Sequence, residues 1–345
     1  MSKVYIIAEI GPNHNGNYKF ASQLVEKLSK IGVNAVKFQL GDPRKSMSLD
    51  AFKADYQKIN DNDNDIFKAS KKRQLTHLEH KKIANKCKKL GVDYLCTPFD
   101  IDSLVFLDKE IDVPKFKIAS GEIFSLDMLE YISNSGKSVI ISTGMATFKE
   151  IKLALKILDK KNKDITILHC VSLYPAPLDK INLNVMLEIK KKFKTKVGYS
   201  DHTLGNSAAI AAVAMGASIV EKHVTLDRSL PGPDHKASAT VEEFADLVNK
   251  IREVETVLGK KKKNLSKNEK NIAKVVRKSI VSKRKIKKNT KITNADICFR
   301  RPGTGIFPIN KHLVIGKIAK IDIEKNRVIK KNIFYENCIY HRSKS

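Results

Sequence analysis

Two short stretches, "KVGYSDH" at residues 196–202 and "IVEKHVT" at residues 219–225, decide the fold of this sequence. Each is an apolar run with Val or Ile that is too short for a buried helix, which is typical of a buried β-strand. Each also carries a histidine near its end, His202 and His223. Whether these histidines meet depends on how many such strands the chain contains.

Six similar runs precede this pair. They are "VYIIAEI" (4–10), "NAVKFQL" (34–40), "DYLCTPF" (93–99), "KFKIAS" (115–120), "SVIISTG" (138–144) and "ITILHCV" (165–171). Most are followed by a segment with helical periodicity, and the last helical segment opens with Thr240 and Glu243 at capping-box spacing. Eight alternations of strand and helix predict a (β/α)8 TIM barrel of the α/β class, with a doubly wound open sheet as the alternative.

The regions outside this rhythm predict the domain organisation. A polar insert, "GDPRKSMSLDAFKADYQKINDNDND", follows the second run and has the length of a loop over the active-site face. In the small C-terminal domain, "IKKNTKITNADI" from Ile286 is echoed by "IEKNRVIKKNIF" from Ile323, which predicts two related half-units. The predicted boundaries are a barrel at 1–258, a charged linker at 259–275, the small domain at 276–338 and a tail at 339–345.

Composition limits the possible binding partners and the cellular location of the protein. The 345 residues include 65 Lys and Arg against 37 Asp and Glu, a formal charge of +28 that would attract polyanions. The lysines are scattered, however, and no known nucleic-acid-binding motif accompanies them, so we do not expect a nucleic-acid partner. Five cysteines without CxxC spacing, no secretory leader and no apolar run of about 18 residues predict a cytoplasmic protein that does not enter a membrane.

The predicted strand ends carry the groups that could do chemistry, because barrel active sites lie at the C-terminal ends of the strands. These groups are Glu9, Lys37, Thr97, Lys117, Ser120, Glu122, Ser142, Ser172, Tyr174, His202 and His223. Neighbouring strands lie roughly 5 Å apart, so His202 and His223 can share one catalytic metal ion. Any one of these strand-end groups alone would be explained as a cap or a buried hydrogen-bonded residue. A core does not tolerate so many ionisable and polar groups unless they pair with one another.

Two further features indicate the substrates. Lys37 and Lys117, with hydroxyls on other strands, suit a phosphate and a carboxylate. The loop "LDRSLPGPDHKAS" after the eighth run suits a substrate loop with Asp234 and His235 as its reactive members, although an ordinary turn would have the same composition. No P-loop or GxGxxG motif is present, so neither ATP nor NAD is indicated.

Nine motifs, taken together, resemble the bacterial sialic acid synthase family. They are "AEIGPNHNG", "VKFQ", "CTPFD", "FKIASGE", "ISTGM", "LHCVSLYPAP", "GYSDHT", "EKHVTLDRSLPGPDH" and "FRRPGTGI". The resemblance covers nearly the whole chain and includes a C-terminal SAF, or antifreeze-like, domain. It implies a transferase that condenses phosphoenolpyruvate (PEP) with an N-acetylated hexose such as N-acetylmannosamine and water, giving a nonulosonic acid and phosphate.

The resemblance also assigns roles by position. His202 and His223 would hold a divalent ion, most often Mn2+ in the family, with Mg2+ or Co2+ as alternatives. Catalytic roles fall to Glu122 as the proton-handling carboxylate, Lys117 and Glu9. The PEP-binding set would be Lys37, Thr97, Lys117, Ser120, Ser142, Ser172 and Ser200. The sugar-binding set would be Glu9, Tyr174, Asp234 and Arg301, the last reaching over from the second subunit of a domain-swapped homodimer, together with one of Asn60, Asn62 or Asn64.

The sequence leaves alternative functions open. Within enzymes they are a pseudaminic acid synthase or another 3-deoxy-2-ketoacid synthase, although "GPDHKAS" favours the neuraminate and legionaminate branches. Outside enzymes, a degenerate barrel could bind a polyanionic glycan or nucleic acid through its basic small domain.

Overall fold

The computed structural model describes residues 3–60, 65–159 and 164–335. The chain divides into two compact units, Met1–Gly259 and Lys260–Ser345. Among the described residues, no helix is both long enough and apolar enough to span a membrane.

The first unit contains eight parallel strands arranged as a barrel. They are β1 (Tyr5–Glu9), β2 (Ala35–Leu40), β3 (Asp93–Pro98), β4 (Lys115–Ile118), β5 (Ser138–Ser142), β6 (Ile165–Cys170), β7 (Lys196–Asp201) and β8 (Ile219–Thr225), and a short β9 (Ala239–Thr240) pairs with β8. The hydrogen-bonded order is β3-β2-β1-β8-β7-β6-β5-β4, and β3 and β4, at its two ends, contact each other. The predicted (β/α)8 barrel is confirmed, and the open-sheet alternative is wrong because β1 pairs with β8.

Helices follow the strands as parallel crossovers require. They are α1 (Tyr18–Lys30), α2 (Pro43–Ser46), α3 (Asp55–Asn60), α4 (Ile66–Lys72), α5 (His77–Leu90), α6 (Ile101–Phe106), α7 (Leu126–Ser135), α8 (Phe148–Leu158), α9 (Asn184–Phe193), α10 (Ser207–Ala214) and α11 (Val241–Leu258). The predicted capping box of Thr240 and Glu243 is present at the start of α11. The insert after β2 forms the short helices α2 to α4.

Close approach of β7 to its neighbours depends on a glycine. A Cβ atom at Gly198 would lie 2.5 Å from the carbonyl oxygen of Ile219 and 2.6 Å from Cδ2 of Leu168. Any side chain there would push β7 away from the strands on either side. Gly198 therefore helps to keep His202, four residues further on, close to β8.

The second unit has a separate core. It contains α12 (Lys267–Val276) and the antiparallel strands β10 (Ser279–Ser282) and β11 (Ile297–Arg300). The two predicted half-units pair at their first residues, because Ile286 and Ile323 exchange backbone hydrogen bonds of 2.9 and 2.8 Å. Part of the segment that we predict as a linker is helical: Ser266 and Glu269 form a capping box that starts α12.

Candidate active site

Two layers of side chains fill the barrel interior, because side chains alternate between the inside and the outside along each strand. The lower layer is apolar and consists of Ile7, Ala35, Leu95, Ile140, Leu168 and Ile219. Two residues further along the same strands stand Glu9, Lys37, Thr97, Ser142, Cys170 and Glu221. The strand period thus sets a polar layer on an apolar floor.

A cavity of about 440 Å3 lies above the floor. It is lined by eleven of the residues predicted from the sequence: Lys37, Thr97, Lys117, Ser120, Ser142, Ser172, Tyr174, Ser200, His202, His223 and Asp234. The structure therefore brings together residues from β2 to β8 and from the loop after β8.

A buried carboxylate links the two lysines of the cavity. Glu221 Oε1 lies 3.6 Å from Lys117 Nζ, and Glu221 Oε2 lies 3.8 Å from Lys37 Nζ. Glu221 also accepts a 3.0 Å hydrogen bond from the Ser200 hydroxyl. Three charges of this kind are stable in a barrel interior only because they pair with one another.

Glu9 lies beneath the cavity wall, not on it. Its carboxylate is fully buried, pairs with Lys37 Nζ at 2.6 Å and accepts a 2.9 Å hydrogen bond from Gln39 Nε2. The structure thus sets Glu9 behind Lys37 and Gln39, both of which line the cavity. The Glu9 carboxylate is thus turned toward Lys37, and its predicted contact with the sugar stays a prediction.

Burial and pairing shift the pKa values of these groups. Burial raises the pKa of Glu9 to about 7, against the charge of Lys37. Burial lowers the pKa of Lys117, although Glu221 opposes this shift. For Glu221, burial would raise the pKa, but the charges of Lys117 and Lys37 outweigh it and the net pKa is lowered. Glu221 is thus ionised, while Lys117 gives up its proton more readily than an exposed lysine.

Hydroxyl groups surround the lysines. Lys37 Nζ donates to Thr97 Oγ1 at 3.1 Å, and Lys117 Nζ donates to Ser142 Oγ at 2.8 Å. Ser120 Oγ accepts a 2.9 Å hydrogen bond from the backbone N–H of Gly144. A Cβ atom at Gly144 would lie 2.1 Å from Ser172 Oγ and 3.0 Å from Ser120 Oγ, so a side chain there would displace these hydroxyls. Ammonium, hydroxyl and amide donors together suit a phosphate or carboxylate.

The two histidines lie side by side at the rim, with ring centroids 5.5 Å apart. The Nδ1–H of His202 donates to the carbonyl of Val171 at 2.8 Å, which leaves Nε2 as the free ligand atom. His223 Nδ1 is buried and has no hydrogen-bond partner among the described residues. Burial, followed by the charge of His202, holds the pKa of His223 well below its usual range, so its imidazole is neutral.

These histidines fit a divalent metal ion. Imidazole nitrogens are donors that such ions take, and the unsatisfied buried Nδ1 of His223 is otherwise costly. In the described part of the chain, no third His, Cys, Asp or Glu joins them in a group able to hold a metal. The pair would leave most coordination positions to water and substrate, as in a catalytic site.

The loop after β8 and the insert after β2 close the side of the cavity next to the histidines. Asp234 Oδ2 lies 3.7 Å from His223 Nδ1, and burial raises the pKa of Asp234 to about 6. Tyr174 stacks on Tyr56 from the insert with ring centroids 5.1 Å apart. The side-chain amide of Asn60 donates to the carbonyl of Pro233 at 3.2 Å. As predicted, the insert reaches the active-site face.

Other predicted residues lie elsewhere. Glu122 sits in a 3-10 turn beyond β4 and accepts a hydrogen bond from the Ser125 hydroxyl, and it does not line the cavity. The turn carries Glu122 past the strand end, and its catalytic role stays a prediction. His235 is also outside the cavity, bonded to Thr225 Oγ1 at 2.7 Å.

Three residues predicted to contact the sugar are not seen at the cavity in the described part of the chain. Arg301 is an exposed residue of the second unit. Asn62 and Asn64 lie outside the described residues, and Asn60 alone of the three asparagines is described.

Among the residues of the cavity wall that sequence reasoning missed are Gln39, Arg73, Cys170 and Glu221. Glu221 had a usable signal, since a glutamate two positions before His223 in a buried strand must share its inward face. Arg73 had none, because it follows α4 in the insert and belongs to no strand.

Paired lysines, hydroxyls and two histidines lie at the C-terminal ends of the strands of this (β/α)8 barrel. These features define an enzyme that binds an anionic substrate beside a metal ion. Residues 24–263 match the NeuB family, and residues 277–333 match the SAF domain. The chain belongs to the NeuB family.

Three known proteins show how similar the chain is to its relatives. It is 40% identical to N,N'-diacetyllegionaminic acid synthase of Campylobacter jejuni, over 96% of this chain and 100% of that protein. It is 32% identical to pseudaminic acid synthase of the same species, over 96% and 97%. The crystal structure of N-acetylneuraminic acid synthetase from Leptospira borgpetersenii, in complex with citrate, superposes with a TM-score of 0.68 at 33% identity, over 79% of this chain and 90% of that one.

These similarities fix the class of activity. The protein is an enzyme, a synthase of nonulosonic acids, and its family uses a divalent metal ion. The resemblance predicted from nine motifs is confirmed, and the non-catalytic polyanion-binding alternative is wrong.

Proposed function

We propose that the protein condenses PEP with the open-chain aldehyde of an N-acetylated hexose and water, giving a neuraminic- or legionaminic-type acid and inorganic phosphate, with Mn2+ as its metal. One observation supports this proposal above the others: the same cavity is lined by the Lys37–Glu221–Lys117 cluster and by the His202–His223 pair. The higher identity to a legionaminic than to a pseudaminic acid synthase supports the choice of branch.

The lysine end of the cavity would bind PEP. Lys37 and Lys117 neutralise phosphate and carboxylate charge, while Ser120, Ser142 and the Gly144 amide fix its orientation. We include Thr97, Ser172 and Ser200 in this set because they line the same wall. Glu9 and Glu221, paired with the lysines, hold the two ammonium groups in place before the substrate arrives.

The histidine end would bind the sugar. His202 and His223 would hold the metal ion, which when bound supplies a Lewis acid for the sugar aldehyde. Asp234 and Tyr174, beside the histidines, would contact the sugar hydroxyls, and so would Asn60, which bonds the carbonyl of Pro233 in the cavity wall. Arg73 also lines this side and would contact the acyl group or a hydroxyl.

The reaction balances in three bond changes. Carbon 3 of PEP forms a bond to the aldehyde carbon, water adds at carbon 2, and the bond from carbon 2 to the phosphate oxygen then breaks. The water oxygen becomes the ketone oxygen and loses two protons, one to the former aldehyde oxygen, which becomes a hydroxyl, and one to the departing phosphate. We propose Glu221 and Lys117 for these transfers in place of Glu122, because both line the cavity and the pKa of Lys117 is lowered, first by burial.

The experiment that tests the proposal measures phosphate release. The protein is incubated with PEP, Mn2+ and a set of acceptors that includes N-acetylmannosamine and the diacetamido hexose precursor of legionaminic acid, with and without a chelator. Release with one of these acceptors, and its loss with chelator, is the expected result. No release with any acceptor would contradict the proposed substrates, and release that survives chelation would contradict the metal.

A domain-swapped homodimer is part of the proposal, with Arg301 of one subunit reaching the sugar at the cavity of the other. The exposed position of Arg301, in the domain that matches SAF, supports it. Arg301→Ala should raise KM for the sugar about tenfold or more while KM for PEP changes little, since one charged hydrogen bond is worth about 1.5–3 kcal/mol.

Arg300→Ala is the matched control. Arg300 is the adjacent exposed arginine and bonds Asn326 at 2.9 Å within its own unit. Equal rises of both KM values in Arg301→Ala, or the same sugar effect in Arg300→Ala, would refute this assignment.

We also propose a cytoplasmic location. The four cysteines in the described residues are free thiols, three of them buried, which suits a reducing compartment.

A further inference from the structure

Two buried charges lie on the outer side of the barrel wall, directly before the two histidines in sequence. Asp201 precedes His202, and Lys222 precedes His223. Alternation along β7 and β8 turns both away from the cavity, opposite to Ser200 and Glu221, and they are 1% and 2% exposed. Neither belongs to the cavity wall.

The two charges form a cross-strand ion pair. Asp201 and Lys222 are partners in the β7–β8 register, and their Oδ2 and Nζ atoms are 2.6 Å apart. Lys222 Nζ also donates to the carbonyl oxygen of Thr203 at 2.6 Å. Asp201 Oδ1 accepts from the backbone N–H and the hydroxyl of Thr203, at 2.9 and 2.8 Å.

These contacts fix the backbone around His202. Strand β7 ends at Asp201, so His202 lies outside the regular strand. The residues on either side of it, Asp201 and Thr203, are both bonded to Lys222 of β8. The carbonyl of His202 accepts from the backbone N–H of Ala176 at 2.9 Å. The side chain of Lys222 therefore ties the chain around His202 to the strand that carries His223.

We propose that the Asp201–Lys222 pair positions the metal site by holding His202 at a fixed distance from His223. A buried ion pair contributes little net stability compared with apolar residues of the same size, so stability alone does not account for it. The contacts of the pair lie on either side of His202, the proposed metal ligand that follows the end of β7. The inference rests on the proposed metal role of the two histidines.

The test uses metal affinity, measured on the full-length protein by calorimetry with Mn2+ alone. Lys222→Met removes the tie and leaves the Asp201 charge unpaired. The double variant Asp201→Asn/Lys222→Met removes that charge too, while the Asn oxygen still accepts from Thr203. We expect the dissociation constant for Mn2+ to rise about 10- to 100-fold in both variants, the usual effect of lost outer-shell partners.

Thermal stability separates positioning from folding. The double variant should regain most of the melting temperature that Lys222→Met loses, because no unpaired charge remains buried, yet its metal affinity should stay low. PEP affinity without metal should change less than threefold in the double variant. As a control, Asp108→Asn weakens the ion pair of the buried Asp108 with the partly exposed Lys137, at 3.0 Å, and should lower stability without changing metal affinity.

Three outcomes would overturn the inference. Metal affinity that recovers together with the melting temperature in the double variant would show a role in folding only. Wild-type affinity in Lys222→Met would remove the role altogether. Absence of Mn2+ binding by the wild-type protein would overturn the metal assignment first, and this inference with it.

Discussion

Either of the substitutions His202→Ala and His223→Ala is expected to lower phosphate release at least about 1000-fold and to abolish tight Mn2+ binding, with the fold intact. The reason lies in the small number of protein ligands. Among the described residues, His202 and His223 are the histidines that line the cavity, and Asp234 lies 3.7 Å from His223 without completing a three-residue group. Removing one of two ligands leaves a single nitrogen, too few to hold the ion.

The measurement combines turnover, calorimetry with Mn2+ and circular dichroism for each variant. His80→Gln provides the matched control, because His80 is also a fully buried histidine but bonds the Tyr94 hydroxyl at 2.6 Å on the outside of the barrel. It should cost stability and leave metal affinity unchanged. Turnover within tenfold of wild type in either alanine variant would refute the assignment of these ligands.

The barrel and most of its cavity could be predicted because one rule governs both. A strand period of two sets every second residue on the interior, and the C-terminal end of each strand then faces the same rim. Lys37, Lys117 and the two histidines follow from this rule once eight strands are counted. The same rule also predicts that Glu221, two residues before His223 in β8, faces the interior.

Residues away from the strands could not be predicted in the same way. Glu122 is four residues beyond Ile118, the end of β4, and a 3-10 turn directs it to Ser125. Arg73 reaches the cavity from the insert through contacts that depend on tertiary packing. The helix within the predicted linker could have been predicted, since Ser266 and Glu269 have the spacing of a capping box. The surrounding run of lysines instead indicated an unstructured segment.

Lys117→Met is expected to raise the dissociation constant for PEP about 100-fold, measured by calorimetry without metal. The substitution removes a charged donor to the substrate, worth about 1.5–3 kcal/mol. Among the described residues, the lysine that then still pairs with Glu221 is Lys37, at 3.8 Å. The freed carboxylate then repels the anionic substrate within a low-dielectric cavity.

A second variant isolates the repulsion. The double variant Lys117→Met/Glu221→Gln lacks the lysine but also lacks the carboxylate that it neutralises, and the Gln side chain can still accept from Ser200 at the position where Glu221 does so at 3.0 Å. It should therefore bind PEP about tenfold more tightly than Lys117→Met, while turnover stays low in both because the groups proposed for proton transfer are absent. Lys137→Met, which removes a lysine paired with Asp112 outside the cavity, should leave PEP affinity unchanged. If the double variant binds PEP more weakly than the single one, Glu221 does not act through the charge of Lys117, and the cluster would have to be reinterpreted as two independent binding groups.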